Sequence, residues 1–572
     1  MCATMYNRIL YIFIRGKRRL KNRADFPKLK KKKRGNDVVS KVRAVGLNGL
    51  DGYAIEVETD VSRSADETKI DIVGLPDNAV REAKERLRAA LKNSGYGIEG
   101  FCVTINLAPA DVKKEGSVYD LAMILGVLTS AEVIPAVSPK KCFIGEISLS
   151  GDVRPCSGVL AGTIVAKQLG FEEIFVPLAN ASEAACIGGI TTYAVTNIKD
   201  LVSHLRGKIS LAKAEHRPVK TDDAPALDFS DIVGQHAAKR ACEITAAGGH
   251  NMLFIGPPGT GKSMLAKALP GILPEMSEEE IIGSSRIYSV AGKLTDEKPL
   301  VTRRPFVTTN QSVSVPAMTG GGSNPVPGLV SLAHNGVLFL DEVAEFPPKV
   351  LDCLRQPLED GTVSISRVRG TVAYPASFML ICAMNPCPCG RYGQPELKCT
   401  CTKAQIDRYM HRISGPLLDR IDLQVELPTV PVKDLKNRAK AESSASIKKR
   451  VDAARARQRE RYAEFGIPCN AKLTPGLIRD ICQKQMTADA DNLLTGVFEK
   501  GFLSMRSYDK LIRIAQTVAD LEGSDSIEKN IYRKRSISAH SIKNTSINKE
   551  KTDENIRFGQ RCDRQGHRHL GL

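Results

Sequence analysis

The sequence of 572 residues contains no apolar run that approaches the roughly 18 residues needed to cross a bilayer. The longest run near the start, Ile9 to Ile14, has six residues, and charge follows it instead of a small-residue cleavage site. That argues against a signal peptide and against a membrane anchor. A paired-cysteine framework is also missing. The fifteen Cys are odd in number and scattered through a long chain, which fits reduced thiols in a cytoplasm and excludes a small disulfide scaffold. No unit repeats at 20–50 residues, which excludes a solenoid. Finally, the body of the chain lacks an excess of charge of either sign. The net charge is +18, but residues 1–40 carry 13 Lys/Arg against 2 Asp/Glu, and residues 529–572 carry 11 against 4. Residues 41–528 hold 58 of each and are neutral. The overall charge therefore does not by itself make the protein a nucleic-acid binder. The two basic ends, one of which includes Lys30-Lys31-Lys32-Lys33-Arg34, read as solvated disordered chain or as polyanion-binding tails.

With 42% hydrophobic and 26% charged residues, the composition is that of a globular protein, and the length suggests three or four domains. From Val42 to about Leu205, β-rich runs alternate with helical ones. Ile70 to Pro76 reads as a strand and turn, with Asp77 as the N-cap of a helix over Ala79 to Asn93. Phe101 to Leu107, Cys142 to Ile147 and Glu173 to Val176 read as strands, and Val118 to Thr129 as an apolar helix. Residues 206–226 are polar and contain Pro218 and Pro225, which suits a linker. A second α/β unit spans 227–430, helices follow over 431–528, and the apolar pattern stops beyond about Glu528.

The strongest signal is Gly256-Pro257-Pro258-Gly259-Thr260-Gly261-Lys262-Ser263, a complete G-x-x-x-x-G-K-[ST] between a buried-strand run, Asn251 to Ile255, and a helix opening at Met264. Glycines let backbone N–H groups curl around phosphate oxygens, and the helix N-terminus adds partial positive charge. Lys262 would reach the β- and γ-phosphates of ATP, and the Ser263 hydroxyl would ligate Mg²⁺. A second strand, Gly336 to Leu340, ends in Asp341-Glu342. A carboxylate there suits Mg²⁺, and its neighbour suits polarising the attacking water. A third strand, Phe378 to Met384, ends in Asn385. Arg420 and Arg506 are candidates for γ-phosphate recognition, because a guanidinium donates a planar fork of hydrogen bonds; an isolated Arg is more often part of a surface ion pair.

At these residues the sequence resembles the AAA+ ATPases of the helix-2-insert clade. It is more closely similar to the magnesium-chelatase-like family that contains the competence protein ComM and YifB-type proteins. The matching stretches include Gly46 to Leu50, Asp71 to Pro76, Asn106 to Asp111, Leu332 to Gly336 and Leu354 to Gly361, over about residues 41–528. The resemblance implies Walker A at 256–263, Walker B at 336–342, sensor 1 at Asn385, an arginine finger at Arg420 and sensor 2 at Arg506. A finger that reaches a neighbour's nucleotide implies a homo-oligomer, for which the family expectation is a hexamer. The family also implies DNA as the partner of the motor. Residues 41–205 resemble the Lon protease fold, but Val118 and Leu160 stand where Lon has its nucleophile and catalytic lysine, and Ser117 is one position away on what reads as a helix. The expected domain is Lon-like without protease activity. Two departures stand out. Arg304-Pro305-Phe306-Val307-Thr308-Thr309-Asn310-Gln311 replaces the family's Arg-Pro-Phe-Arg-x-Pro-His-His, and the family's usual end is replaced beyond about Glu528. Magnesium insertion into a porphyrin, ATP-dependent proteolysis or protein remodelling, and a non-motor scaffold are the alternatives.

Cys387, Cys389, Cys399 and Cys401 form C-x-C-x₉-C-x-C, a set that suits a closed structural Zn²⁺ site, or else free thiols or, less readily in a reducing compartment, two disulfides. His334 and His411 read as structural. The helix carrying Lys448, Lys449, Arg450, Arg455, Arg457, Arg459 and Arg461 presents either a solvated face or a DNA-backbone contact.

Overall fold

The computed structural model describes residues 39–63, 68–215, 227–322, 325–367, 370–393, 398–429, 441–499 and 504–533. It divides into two compact units, Met1–Leu47 with Asp51–Arg217 and Asn48–Leu50 with Pro218–Leu572. The basic stretch 1–38 and all but the first few residues of the basic end lie outside the described residues. Among the described residues no helix is long and apolar enough to cross a membrane.

The first unit is built on a seven-stranded mixed sheet. Its strands are β1 (Ser40–Asn48), β2 (Asp51–Arg63), β3 (Lys69–Val73), β4 (Phe101–Ala108), β5 (Lys141–Phe143), β6 (Glu173–Pro177) and β7 (Thr191–Val195), in the order β3-β4-β2-β1-β5-β6-β7. Helix α1 (Asn78–Asn93) starts where Asp77 accepts from the Val80 N–H at 2.8 Å. Helix α2 (Asp120–Ser130) is apolar all round and almost wholly buried. It begins two residues later than its apolar run, and the carboxylate of its first residue, Asp120, turns inward to Arg86 and the Ile147 N–H. The run Cys142 to Ile147 is not one strand. It breaks at Ile144-Gly145, and Glu146–Ile147 pairs with Val153–Arg154 in a separate ribbon. Ser117 precedes α2 instead of lying on it, and its hydroxyl bonds the Glu146 carboxylate. Val118 is half-buried, while Leu160 is buried near the start of α3 (Val159–Gln168).

The second unit contains a five-stranded sheet whose pairings are all parallel: β8 (Met252–Ile255), β9 (Phe306–Thr309), β10 (Val337–Leu340), β11 (Met379–Met384) and β12 (Leu423–Glu426), in the order β9-β10-β11-β8-β12. The residues of β10 and β11 are buried throughout, as expected of a parallel sheet covered on both faces. This arrangement fits a P-loop AAA+ domain. Helix α4 (His236–Gly248) packs on α5 (Lys262–Ala268), on α6 (Ser444–Arg461) and on α7 (Met505–Glu522). Ile447, Val451, Ile512 and Val518 join Ala241 and Ile244 in one core. A last helix, Lys529–Arg533, buries Ile531, so packed chain runs past Glu528.

Most cations of the basic helix α6 meet carboxylates of the same unit, while Lys449 and Arg459 stay exposed. Arg450 pairs with Glu243 at 2.5 Å and with Glu442, Arg457 with Asp525 at 2.9 Å, Arg461 with Asp520 at 2.6 Å and Lys448 with Glu275 at 3.1 Å. Arg455 is buried and donates to the Ala246 and Pro468 carbonyls.

Candidate nucleotide site and metal centre

Strand β8 delivers the loop 256–263 at its C-terminal end. Gly259 and Gly261 have φ of +77° and +90°, a left-handed backbone that glycine adopts freely. Gly256 meets a different demand: a Cβ there would lie 2.7 Å from the Leu427 carbonyl oxygen. The Lys262 ammonium is largely buried and donates to the Gly256 and Pro257 carbonyls at 2.6 and 2.8 Å and to Asn385 Oδ1 at 3.1 Å. Burial lowers its pKa, opposed by the charges of Asp341 and Glu342. The Thr260 hydroxyl closes on the Pro257 carbonyl at 2.9 Å.

Strand β11 lies beside β8 and β10 beside β11, and both carry their own site residues to the same edge. Ser263 Oγ bonds Asp341 Oδ2 at 2.6 Å. A hydroxyl and a carboxylate this close form a hard-oxygen pair of the kind Mg²⁺ takes alongside phosphate and water. Glu342 has φ +51° and an exposed side chain. Its Oε2 accepts from Gln311 Nε2 at 2.6 Å. Lys262, Ser263, Asp341, Glu342 and Asn385 are thus gathered at one edge of the sheet, although they come from three segments.

Arg420 and Arg506 are not gathered there. β8 and β12 run parallel with Met252 opposite Leu423, so Arg420 lies beyond the N-terminal end of the sheet while the loop 256–263 lies beyond the other. The four-residue strand alone separates them by about 13 Å. Arg420 pairs with Glu359, donates to the Pro416 carbonyl at 2.9 Å and keeps its Nε without a protein partner. Hydrogen bonding to Arg420 holds the Glu359 carboxyl below the usual range, with smaller contributions from the nearby Arg506 and Arg355. Arg506 is exposed in the first turn of α7.

The four thiols converge. Cys387 Sγ lies 3.4 Å from Cys389 Sγ and 3.8 Å from Cys399 Sγ, Cys389 and Cys399 are 3.6 Å apart, and all four sulfurs fall within 4.8 Å of one another. Tetrahedral zinc with Zn–S of about 2.3 Å places sulfurs about 3.8 Å apart, so the donor set fits. Backbone N–H groups of Arg391 and Thr400 pull the Cys389 thiol down to about 5. The cysteine loop also leans on the phosphate loop: a Cβ on Gly390 would meet Pro258 at 2.7 Å. His334 is half-buried and its Nδ1 accepts from the Ser377 N–H at 3.1 Å, so it has a partner. His411 Nδ1 pairs with the Asp407 carbonyl of its own helix turn.

Three contacts escape a reading of motifs. Gln235 bridges the Thr260 and Pro428 carbonyls, Gln311 holds Glu342, and Asn251 joins three strand entrances. Only Gln311 carried a signal, the changed segment 304–311.

Residues 228–435 match the family described as magnesium chelatase, subunit ChlI. Residues 57–180 match subunit ChlI of Mg-chelatase, and 441–562 match the ChlI C-terminal region. The last match runs past Glu528, where the family pattern was expected to end. YifB of Escherichia coli is 41% identical over 484 residues, which span 84% of this chain and 92% of its own. The competence protein ComM of Haemophilus influenzae is 41% identical over 463 residues, 80% of this chain and 89% of its own. The magnesium-chelatase 38 kDa subunit of Rhodobacter capsulatus is 29% identical over 178 residues, only 28% of this chain.

Proposed function

The chain belongs to the magnesium-chelatase-like family that includes ComM and YifB, and from that premise we propose that it is an oligomeric, Mg²⁺-dependent ATP hydrolase working as a motor on DNA. The observation that carries the hydrolytic part is the convergence of Lys262, Ser263, Asp341 and Asn385 at one edge of a parallel sheet. The loop amides and Lys262 hold the phosphates. Ser263 and Asp341 hold Mg²⁺, which neutralises charge developing on the phosphate oxygens. Glu342 orients the attacking water, and Asn385 steadies Lys262.

The position of Arg420 supports assembly. A finger at the far end of the sheet from its own phosphate loop serves a nucleotide only if that nucleotide belongs to a neighbour. Arg506, close to the same Glu359, serves the same neighbour-facing edge, and the family expectation for the ring is a hexamer. The four cysteines hold a structural Zn²⁺ that braces the segment after Asn385. The first unit is a Lon-like domain without proteolytic activity: Ser117 is engaged by Glu146, and the buried Lys114 ammonium donates to the Val112 and Pro109 carbonyls. The DNA role rests on the family resemblance. The test is the rate of ATP hydrolysis with no addition, with forked DNA and with an unfolded protein, beside a Lys262→Ala control. Stimulation by forked DNA supports the motor. Stimulation by unfolded protein with no effect of DNA points to protein remodelling, and hydrolysis that survives Lys262→Ala overturns the site.

A further inference from the structure

Three strand entrances at one end of the parallel sheet are joined by one side chain. Asn251 immediately precedes β8, the strand that delivers the phosphate loop. Its Nδ2 donates to the Arg420 carbonyl at 2.8 Å, and its Oδ1 accepts from the Leu380 N–H at 2.8 Å, at the start of the strand that ends in Asn385. Because one partner is a carbonyl and the other an N–H, the orientation of the amide is determined, and a side chain with a donor and an acceptor on one planar group is required. An aspartate lacks the donor and a leucine lacks both. The main chain adds to the joint. The Asn251 N–H donates to Asp422 Oδ2 at 3.1 Å, and its carbonyl accepts from the Asp422 and Leu423 N–H groups at 3.0 Å. Asp422 Oδ2 also pairs with His250 Nδ1 at 3.3 Å, and His250 Nε2 pairs with Thr517 of α7 at 2.9 Å. Lys510 of the same helix donates to the Ile421 carbonyl at 3.0 Å. The segment bearing Arg420 and the helix bearing Arg506 are therefore tied, through residues 250 and 251, to the strand that feeds the chain's own nucleotide loop.

We propose that Asn251 is a positioning residue for Arg420, holding the neighbour-serving arginine in register with the strand that carries the same subunit's phosphate loop. This rests on the reading of Arg420 as a finger acting across an interface. Asn251 touches no nucleotide atom; it acts by fixing the main chain at Arg420. Loosening that anchor displaces the guanidinium instead of removing it, and a misplacement on the order of 1 Å lowers turnover about a hundredfold.

Subunit mixing tests it with the full chain. Asn251→Ala lowers kcat at least about tenfold, while the affinity for a fluorescent ATP analogue and the assembled mass stay as in the parent. Mixed with Lys262→Ala subunits, which lack a working phosphate loop but have an intact Arg420, Asn251→Ala regains hydrolysis. Mixed with Arg420→Ala subunits it does not. Recovery with Arg420→Ala instead means that Asn251 serves its own nucleotide and overturns the proposal, as does recovery with neither or an unchanged kcat. Asn251→Ser, whose hydroxyl reaches at most one of the two partners, gives the same pattern and replaces Asn251→Ala if that variant does not assemble. The pair Lys262→Ala with Arg420→Ala is the separate check: if those two fail to complement each other, the reading of Arg420 as a finger acting across the interface is wrong, whatever Asn251 does.

Discussion

Gln311 offers the sharpest perturbation of the proposed chemistry. Its Nε2 donates to Glu342 Oε2 at 2.6 Å, a hydrogen bond to a carboxylate on an exposed side chain. A carboxylate oxygen occupied by an amide is turned away from the water it has to orient. In Gln311→Ala the restraint disappears and nothing else in the phosphate site is touched. The net worth of such a bond in contact with solvent is about 1 kcal/mol, or about a factor of five in the population of the free carboxylate. The expected result is an increase of about two- to fivefold in hydrolysis without DNA, at saturating ATP, with KM unchanged, because Lys262 and the loop amides are untouched. Stimulation by DNA should shrink in proportion, since part of the activation has already been released. The assay is steady-state phosphate release with and without forked DNA, beside Glu342→Gln, which should be inactive in both backgrounds. A fall in the basal rate would mean that Gln311 holds Glu342 in its working position. An unchanged rate would mean that the contact does not restrain the base. Either result refutes the argument.

Purified protein should contain stoichiometric zinc by elemental analysis, and Cys399→Ser should lose it. Because Gly390 abuts Pro258, that variant should also bind nucleotide more weakly; full zinc loss with unaltered nucleotide affinity would uncouple the two loops. Asp520 is fully buried against Arg461, so Asp520→Ala strands a largely buried guanidinium. The loss is about 3 kcal/mol, read as a drop of roughly 4–5 °C in the midpoint of the unit. Burial pushes the His334 pKa down to about 4, so the folded unit keeps it neutral while the unfolded chain protonates it below 6.5. Its contribution is therefore complete above that value and is lost as the pH falls towards 4, amounting to about 1.4 kcal/mol between pH 8 and 5.5. Comparison with His334→Asn, which retains an acceptor for Ser377 but cannot titrate, should show a flatter midpoint across this window.

Local chemistry made much of the nucleotide site readable before any fold was known. The glycines and lysine of 256–263, the carboxylates after an apolar run, and Asn385 after another are each signalled within eight or so neighbouring residues, because phosphate binding and strand burial impose their demands on contiguous chain. The thiols at 387, 389, 399 and 401 were legible for the same reason. The basic helix was not. Which of its cations are paired depends on Glu243, Glu275, Asp520 and Asp525, which lie far away along the chain. Ser117 lies off the helix because the apolar run begins at Val118 while the helix itself begins only at Asp120.

What the sequence determined on its own was the set of groups able to grip a triphosphate, since those follow from short motifs with a physical cause. The tertiary structure decided which groups share an edge. A parallel sheet carries residues at strand ends to one side and residues before strand starts to the other, so Glu342 and Asn385 join Lys262 while Arg420 faces away. The contacts of Gln311 with Glu342 and of Asn251 with Arg420 exist only because strands distant in sequence lie about 5 Å apart in the sheet.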